Sequence, residues 1–385
     1  MPNVVVLGAG RVGAAMARDL ARGGALEVTA ADTDSDSLRR LEEAARKDGG
    51  SIRTLPLDLS SGDSLSRALD GQDLAIGAVP GPLGFDTVRA VLEHGVDVVD
   101  ISFFEEDAYE LDDLARRGGR VALVDAGVAP GLSNLILGHY EARLQETTRF
   151  ECRVGGIPAV PEAPWEYKAP FSPIDVLAEY TRPARIRRGG EQRTLPALTD
   201  LETVELPGVG PLEAFNTDGL RTLLRTSAVP DLVEKTLRWP GHADRIRVLR
   251  DSGFFEEEPV EVDGIRVAPL ALSARLLFDV WHYRPGEEDL TVMRVVVEGR
   301  DERGAVRHTY DLYDRYDSAT DVSSMARTTG YTATALARLV LDGSWSEPGI
   351  SPPERVAAGS DALVRVLADL AERGVKVRHT ESRIG

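Results

Sequence analysis

Cysteine, lysine and long apolar runs are all scarce in this 385-residue chain. The single cysteine, Cys152, excludes an intramolecular disulfide and a thiolate zinc site, and such low cysteine usage is typical of a reducing compartment. No stretch reaches the ~20 apolar residues that a membrane-spanning helix needs, and no basic segment followed by a cleavable apolar one opens the chain. We therefore expect a cytoplasmic protein without a membrane partner.

Positive charge is also in short supply. Lys and Arg total 45 against 63 Asp and Glu, which gives a formal net charge of −18. A nucleic-acid backbone needs a basic face, and Arg187-Arg188 is too short to supply one, so we expect no nucleic-acid partner. The six histidines are far apart in sequence and lack metal-ligand spacing, so we expect no metal site.

The first third of the chain alternates short apolar runs with segments of helical periodicity. This alternation predicts an α/β fold with a doubly wound parallel sheet. The predicted strands are Val4–Leu7, Val28–Ala31, Leu74–Val79, Val96–Ile101 and Arg120–Val124, and the predicted helices include Ala14–Arg22 and Ser35–Lys47.

The pattern changes after about residue 130, where antiparallel strands and glycine turns predict a second, mixed α+β domain. Its predicted strands are Phe150–Val154, Ala184–Arg188, Gln192–Leu195, Thr203–Leu206, Thr291–Glu298 and Ala305–Leu312. Its predicted helices are Pro173–Tyr180, Gly219–Thr226 and Ala271–Asp279. From Ser323 the chain is again helical, with an apolar Ala333–Leu341 and an amphipathic Ser360–Arg373.

A glycine-rich turn, Gly8-Ala9-Gly10-Arg11-Val12-Gly13, joins the first predicted strand to the first predicted helix. In this position GxGxxG is typical of dinucleotide binding, because the glycines admit a pyrophosphate to the N-terminus of the helix. The alternative is a tight turn without a ligand. Asp32 ends the next strand, where a carboxylate accepts both hydroxyls of an adenosine ribose. Since Asp32 would repel a 2′-phosphate, we expect NAD rather than NADP, although Arg39 and Arg40 leave NADP open.

Later strand ends supply further candidate cofactor contacts. Asp58 and Leu59 are expected near the adenine, with a helix N-cap region as the alternative for Asp58. Val79 ends a predicted strand and Pro80 follows it, where the backbone approaches the ribose and nicotinamide, and Pro80 also fits a purely structural turn. Ser102 follows the strand that ends at Asp100-Ile101.

Five segments together resemble the saccharopine dehydrogenase family, and the likeness is greatest to its lysine 6-dehydrogenase branch. They are the glycine turn, Asp100-Ile101-Ser102, Val124–Asn134 (VDAGVAPGLSN), the Ser172-Pro173 turn and Asn216-Thr217-Asp218-Gly219-Leu220-Arg221. The resemblance implies a Rossmann domain (1–128), an inserted substrate and dimerisation domain (129–322) and C-terminal helices that return to the Rossmann domain (323–385). It also implies a homodimer or higher homo-oligomer.

One position departs from part of the family. Saccharopine reductases and carboxynorspermidine-type enzymes usually carry an aspartate just before the Pro-Gly of the third segment, Val124–Asn134, whereas this chain has Ala129. The following Leu132-Ser133-Asn134 resembles the lysine 6-dehydrogenase branch.

Oxidation of an amine requires general-base groups near the nitrogen and near the water that attacks the imine. The catalytic candidates are Asp125, Tyr167 and Lys168. Asp125 ends a strand at the edge where a doubly wound sheet binds ligands, and a helix-capping aspartate is its alternative. Tyr167 and Lys168 lie in a proline-rich stretch, and a solvent-exposed lysine is the alternative for Lys168.

The candidate substrate-binding residues are Thr217, Asp218, Arg221 and His242. Asp218 would bind an ammonium and Arg221 a carboxylate, because arginine offers a bidentate fork. Their alternatives are a carboxylate near a helix N-terminus and a surface arginine. For His242, in Trp239-Pro240-Gly241-His242, the alternative is an ordinary loop.

The sequence thus predicts an NAD-dependent oxidoreductase that removes the ε-amino group of L-lysine or a similar basic amino acid, giving a semialdehyde that cyclises. A saccharopine dehydrogenase or a polyamine-pathway carboxyamine dehydrogenase is the alternative enzyme. A non-catalytic, NAD-binding regulatory protein is the alternative outside enzymology.

Overall fold

The computed structural model describes residues 1–171, 173–284 and 286–384, so Ser172 of the expected Ser172-Pro173 turn lies outside them. The chain forms two compact units. The first comprises Met1–Leu144, Asp317–Val322 and Ala326–Val377, and the second comprises Gln145–Tyr316, Ser323–Met325 and Arg378–Gly385. The first unit includes the helix that follows Val128, and the roles we expect for the domains stay predictions.

The first unit contains a seven-stranded parallel sheet. Its strands are β1 (Asn3–Leu7), β2 (Glu27–Asp32), β3 (Ile52–Pro56), β4 (Leu74–Gly77), β5 (Asp97–Asp100), β6 (Val121–Leu123) and β17 (Gly349–Ile350). They lie in the order β17-β6-β5-β4-β1-β2-β3. The parallel, doubly wound α/β prediction is confirmed, because the continuous apolar runs are the strands that a two-sided core buries.

Helices of the first unit alternate with these strands. They are α1 (Arg11–Ala21), α2 (Ser35–Lys47), α3 (Gly62–Leu69), α4 (Gly81–Glu93), α5 (Asp112–Gly118), α6 (Leu132–Glu141), most of α11 (Ser324–Leu341), α12 (Pro353–Ala358) and α13 (Ala362–Glu372). Val5 and Leu7 of β1 are fully buried in an apolar core that α3 and α4 also line. The core fixes the carboxyl ends of the strands, where the candidate cofactor residues lie.

The second unit is built on a nine-stranded sheet. Its strands are β7 (Glu146–Pro158), β8 (Ala184–Arg188), β9 (Glu191–Leu195), β10 (Glu202–Leu206), β11 (Gly210–Asn216), β12 (Asp231–Arg238), β15 (Asp289–Asp301), β16 (Gly304–Arg315) and β18 (Val377–Arg383). The main order is β10-β11-β12-β7-β15-β16-β18, and β8 pairs with β12 and β9. The prediction of a mostly antiparallel sheet is confirmed, while β12 and β7 pair in parallel.

The second unit also contains helices α7 (Pro173–Thr181), α8 (Leu223–Thr226), α9 (His242–Asp251) and α10 (Pro269–Trp281), with a separate hairpin of β13 (Val260–Val262) and β14 (Ile265–Val267). One prediction is wrong in part. The helix expected at Gly219–Thr226 forms only as α8, because the preceding residues form an irregular loop. Residues 239–241 form a turn, as the loop alternative for this segment expects, and His242 begins α9.

Within the described residues, no helix combines the length and apolar character that crossing a bilayer requires. In the same residues, no group of three or more His, Cys, Asp or Glu side chains is arranged to hold a metal ion.

Candidate functional site

The three glycines of the turn after β1 have different surroundings. Gly8 has a φ of +110°, and a Cβ there would lie 2.5 Å from the Ala78 carbonyl oxygen. A Cβ on Gly13 would lie 2.0 Å from the Gly8 carbonyl oxygen, so helix α1 approaches the turn only because residue 13 has no side chain. A Cβ on Gly10 would meet no described atom within 4 Å. Gly8 and Gly13 therefore shape the turn, and Gly10 leaves open space beside it.

The N-terminus of α1 faces this turn. The helix begins at Arg11 with Gly10 as its N-cap; in this fully described helix the first turn holds no acidic residue and no side chain caps the end. Amide N–H groups and the positive end of the helix dipole suit an anion. The Arg11 and Val12 backbone thus lies where a pyrophosphate would be held.

Asp32, at the end of β2, is tied to the same turn. Its Oδ2 accepts a hydrogen bond from the Ala9 amide at 2.6 Å, and its Oδ1 accepts one from the Asp34 amide at 2.8 Å. Arg39 and Arg40 lie on α2 and are largely exposed, and each makes an ion pair with an acidic residue of the same segment. The open Gly10, the uncapped helix and the carboxylate at β2 together fit a nicotinamide adenine dinucleotide.

The other expected cofactor residues are less closely connected to the turn. Asp58 is exposed and accepts hydrogen bonds from the hydroxyl and amide of Ser60, which lower its pKa. It does not cap α3, whose N-cap is Ser61. Leu59 packs against the core of the first unit, Val79 is buried, and Pro80 is the N-cap of α4. Their cofactor roles stay predictions.

Buried polar groups occupy the ends of β5 and β6. The Asp100 carboxylate accepts hydrogen bonds from the Ser102 amide at 2.9 Å and the Ser102 hydroxyl at 2.8 Å. A Cβ on Gly77 would lie 1.9 Å from Asp100 Oδ1, so the neighbouring strand must carry glycine there. Ser102 is buried, and its expected contact with a cofactor stays a prediction.

Asp125 follows β6 in a left-handed conformation, with a φ of +54°, and it is buried. Asp125 is not the N-cap residue of α6, because Gly131 holds that position and the Asn134 side chain accepts from its amide at 3.2 Å. A Cβ on Gly131 would lie 1.7 Å from the Gly127 carbonyl oxygen. The segment therefore needs its glycines to turn tightly, and it holds Asp125 at the carboxyl end of the sheet.

In the second unit, His242 belongs to a buried hydrogen-bond network. Its Nδ1 lies 2.8 Å from the Trp165 carbonyl oxygen and its Nε2 lies 2.9 Å from the Tyr180 hydroxyl. Since a carbonyl only accepts, Nδ1 carries the proton and Nε2 accepts from Tyr180. Arg238 Nε donates to Tyr180 at 3.1 Å, and Arg238 Nη2 donates to Glu179. His242 is a neutral member of this network.

Burial sets the protonation of this network. Burial, with the Arg238 charge adding to it, lowers the pKa of His242 to about 3. Burial raises the pKa of Tyr180 to about 12 and that of Tyr167 well above its usual value. The Tyr167 ring lies 4.8 Å from the His242 ring and 5.2 Å from the Trp281 ring, between centroids. Near neutral pH Tyr167 is therefore a hydrogen-bond donor rather than a base.

A second buried group, Glu234 of β12, closes the loop that contains Thr217. Its Oε2 accepts hydrogen bonds from the Thr217 hydroxyl at 2.6 Å and the Gly219 amide at 3.1 Å. A Cβ on Gly219 would lie 2.5 Å from the Glu234 carboxyl carbon. Burial raises the pKa of Glu234 to about 8. The carboxyl group thus stays largely protonated at neutral pH.

Asp218 and Arg221 differ from their expected setting at the start of a helix. The Asp218 carboxylate is buried and accepts two hydrogen bonds from the Arg185 guanidinium, both at 2.8 Å. Arg221 has a φ of +44° and precedes α8, which begins at Leu223. An ammonium ion would compete with Arg185 for Asp218, and both substrate-binding roles stay predictions.

Lys168 is buried, so the solvent-exposed alternative is wrong. Its Nζ lies 2.5 Å from Glu287 Oε1. Although desolvation opposes it, the hydrogen bond from Lys168 holds the pKa of Glu287 below its usual range. This ion pair fixes the position of the lysine, and its catalytic role stays a prediction.

Sequence reasoning missed Tyr180, Glu234 and Arg238 as members of buried polar networks. A signal was available in Glu234-Lys235-Thr236-Leu237-Arg238, because alternate positions of a strand share one face and Glu234 and Arg238 therefore point the same way. The segment was not predicted to be a strand. Tyr180 gave no such signal, since its partners come from distant parts of the chain.

Two family models match the chain in succession. The saccharopine dehydrogenase NADP-binding domain matches residues 4–123, and the saccharopine dehydrogenase C-terminal domain matches residues 127–375. The first match contains the glycine turn and Asp32, and the second contains Tyr167, Lys168 and the buried networks.

Curated relatives are 22–25% identical to the chain over the aligned residues. Saccharopine dehydrogenase [NADP(+), L-glutamate-forming] of Schizosaccharomyces pombe is 25% identical over 68% of this chain and 60% of that protein. The Saccharomyces cerevisiae protein of that name is 22% identical over 91% of this chain and 93% of its own length. Mitochondrial alpha-aminoadipic semialdehyde synthase of Bos taurus is 23% identical over 95% of this chain and 47% of that protein.

A solved structure has the same fold. Apo saccharopine dehydrogenase (L-Glu forming) from Saccharomyces cerevisiae superimposes with a TM-score of 0.78 at 19% identity, over 99% of this chain and 100% of that one. The fold, the glycine turn and the two successive matches agree. The chain belongs to the saccharopine dehydrogenase family of nicotinamide-dependent oxidoreductases.

Proposed function

We propose that this chain oxidises the carbon–nitrogen bond of an amino acid with a nicotinamide dinucleotide, and that a secondary amine of the saccharopine type is its substrate. The observation that carries the proposal is the succession of the two family matches over residues 4–123 and 127–375. Two of the curated relatives are named saccharopine dehydrogenases, and the names of both specify formation of L-glutamate.

The reaction balances as follows. The carbon next to nitrogen loses a hydride and the nitrogen loses a proton, which leaves a carbon–nitrogen double bond. Water adds to that bond, and its cleavage gives an amine and an aldehyde. The bound nicotinamide supplies the hydride acceptor. The chain must bind the amine, orient it, and provide groups that take and return protons.

The surroundings of the candidates support different roles. The raised pKa of Tyr167 makes it a donor to a substrate oxygen or nitrogen rather than a base. Lys168 is held by Glu287 and positions positive charge. Asp125 lies at the carboxyl end of β6, the edge where this class of sheet binds ligands. Asp125 is therefore our candidate for the group that accepts a proton from the amine or from water.

For the cofactor we propose NAD, on the chemistry at the end of β2. Asp32 ends β2, where its carboxylate would repel the 2′-phosphate of NADP, and Arg39 and Arg40 are paired with Asp36 and Asp34. The names of the matched model and of two relatives instead carry NADP, which favours NADP. A higher kcat/KM with NADP than with NAD would refute the proposed preference.

L-Lysine is a second candidate substrate. The observation that favours it is Ala129, which stands where the resembling saccharopine reductases usually have an aspartate. A smaller primary amine would not need that carboxylate. The product of oxidation at the ε-carbon is a semialdehyde that cyclises.

The test is a substrate panel with purified protein. Saccharopine, L-lysine and other basic amino acids are each incubated with NAD and with NADP, and products are identified by mass spectrometry. We expect reduced cofactor with saccharopine, together with glutamate and an aldehyde. Turnover of lysine alone would replace the proposed substrate by the second candidate. Cofactor binding without turnover of any amino acid would favour a non-catalytic, cofactor-binding protein.

A further inference from the structure

We propose that His308 of β16 and His379 of β18 form a binding site for a divalent metal cation that prefers imidazole ligands, such as Zn²⁺, with water completing the coordination. The proposal is independent of the reaction and of the nicotinamide cofactor. It rests on the distance between two imidazole nitrogens, on the charges around them and on the exposure of one of the two rings.

The sheet of the second unit brings together two histidines that are 71 residues apart in sequence. Strands β16 and β18 are neighbours in this sheet. His308 and Tyr310 occupy alternate positions of β16, and His379 and Glu381 occupy alternate positions of β18, so each pair shares one face of its strand. The expectation of no metal site rests on sequence spacing, and strand pairing assembles these two rings regardless of spacing.

The distance between the facing nitrogens suits a shared cation. His308 Nδ1 lies 3.2 Å from His379 Nε2. Zinc binds imidazole nitrogen at ~2.0–2.1 Å, so two such nitrogens at a tetrahedral angle lie about 3.3–3.4 Å apart. In the metal-free protein one ring donates a hydrogen bond to the other. When a cation binds, the donating ring moves its proton to its other nitrogen, and both facing nitrogens then offer a lone pair.

Both rings favour the neutral form, which is the form that binds a metal. Burial lowers the pKa of His308, and the facing His379 and the charge of Arg383 add to this effect. Glu381 and Asp301 act on the pKa of His308 in the opposite direction. Burial also lowers the pKa of His379, against the effect of Glu381. Near neutral pH a cation therefore does not have to displace a charge-bearing proton from either ring.

The charges beside the two rings favour a cation. Glu381 Oε2 lies 4.0 Å from His308 Nδ1. Arg383 donates to Asp301 at 2.7 Å and to Glu381 at 3.1 Å, so these three residues together carry a net charge of −1. The Glu381 carboxylate attracts the cation and is placed to accept a hydrogen bond from a metal-bound water. The direct protein ligands are the two imidazoles, so the site needs no group of three ligating side chains.

The exposed ring gives the site an entry path. The His308 side chain is only 7% exposed, whereas His379 lies on β18, which is almost entirely exposed. The Tyr310 ring stacks on the His379 ring, with 4.5 Å between centroids, and holds its orientation. An imidazole that is already held loses less side-chain entropy when it binds. A cation and its waters thus reach the pair from the His379 side.

Calorimetric titration of the full, untagged chain with Zn²⁺ near neutral pH tests the site. We expect wild type to bind a single Zn²⁺ per chain, and His379→Gln to bind it at least about tenfold more weakly, because one of two direct ligands is lost. His94→Gln is the matched control, since His94 lies 3.2 Å from Asp70 in the first unit and tests whether one histidine beside a carboxylate is enough. It should bind Zn²⁺ like wild type.

A stability measurement provides a second readout. The cation binds only when β16 and β18 are paired, so excess Zn²⁺ should raise the Tm of wild type and of His94→Gln, but not that of His379→Gln. Without metal, circular dichroism and Tm should be the same for wild type and His379→Gln, because His379 is exposed. His308→Gln changes the other strand and should lose Zn²⁺ binding as His379→Gln does.

Three results would overturn the proposal. The first is a wild-type chain that shows no saturable binding of Zn²⁺, which would leave the two rings as a hydrogen-bonded pair only. The second is equal binding by wild type and His379→Gln, since the ion would then lie elsewhere. The third is retained binding in His308→Gln, because a site with two imidazole ligands requires both.

Discussion

Asp32 connects the backbone of the glycine turn to the place where an adenosine ribose is expected. Its two carboxylate oxygens accept from the amides of Ala9 and Asp34 and remain able to accept further hydrogen bonds, because each oxygen has two lone pairs. We therefore propose that this one residue both supports the turn and selects the cofactor.

Asp32→Asn should lower kcat/KM for NAD by about 10- to 100-fold, the cost of one or two charge-assisted hydrogen bonds. The loss should be smaller for NADP, because a repulsion is removed. Steady-state kinetics with both cofactors measure the effect. Glu93→Gln is the control, since Glu93 is an exposed carboxylate at the last residue of α4; it should leave both constants unchanged. Equal losses for the two cofactors would contradict a role in selection.

Glu234 makes stability depend on pH. Burial raises the folded-state pKa of Glu234 from an ordinary value of 4.5 to about 8. Between these values the folded state holds a proton that the unfolded state has released, so the group makes the protein less stable as pH rises through this window. Glu234→Gln should therefore have a higher Tm than wild type near pH ~8 and a smaller advantage near pH ~5. Thermal unfolding at both pH values measures it, and a pH-independent difference would contradict the raised pKa.

Residue roles could be predicted where their causes are local. Glycine is required at residues 8 and 13 by a turn only a few residues long. The GxGxxG spacing alone therefore indicates both positions. The partner of Asp218 is Arg185, which no local pattern indicates. The protonation of Glu234 depends on its burial and on Thr217 and Gly219 from the preceding loop. Pairing and burial of this kind arise only from tertiary structure.

At the scale of elements, two glycines of the β1–α1 unit have different functions. Gly13 lets helix α1 approach the turn, and Gly10 leaves space for a ligand beside the helix N-terminus. The two positions lie three residues apart. We expect an alanine substitution to affect stability at Gly13 and cofactor binding at Gly10.

Gly13→Ala should destabilise the protein by about 1–3 kcal/mol or more, because its Cβ would overlap the Gly8 carbonyl oxygen. Gly10→Ala should change stability by no more than about 1 kcal/mol and should weaken cofactor binding. Chemical denaturation and cofactor titration by calorimetry measure the two effects. Unaltered cofactor affinity in Gly10→Ala would show that the open space at residue 10 does not receive the cofactor.

Strands of the first unit were predictable because a parallel sheet covered on both faces consists of continuous apolar runs, as in β1 and β2. Strand β12 was missed because Glu234, Lys235 and Arg238 interrupt its apolar residues. Strand β18 was missed because almost all of it is exposed, so it lacks the apolar alternation of a half-buried strand. The helix expected at Gly219–Thr226 did not form in full, since Glu234 binds the Gly219 amide and holds that part as a loop.

At the scale of the whole molecule, the order of features along the chain was the most informative signal. The parallel α/β pattern falls in the match to the NADP-binding domain, and the mixed α+β pattern with most of the C-terminal helices falls in the match to the C-terminal domain. The parallel pairing of β12 with β7 was not predictable, because strands far apart in sequence become neighbours only in the folded sheet. The substrate is likewise set by a few side chains, and Ala129 is the one difference that the sequence singled out.

Transfer of deuterium tests the central claim most directly. Saccharopine or L-lysine, deuterated at the carbon next to the reacting nitrogen, is incubated with the protein and oxidised cofactor, and the reduced cofactor is analysed by mass spectrometry. Oxidation of a carbon–nitrogen bond predicts one deuterium in the reduced nicotinamide and an aldehyde product from the same carbon. Reduced cofactor without deuterium, or no reduced cofactor with either substrate, would contradict it.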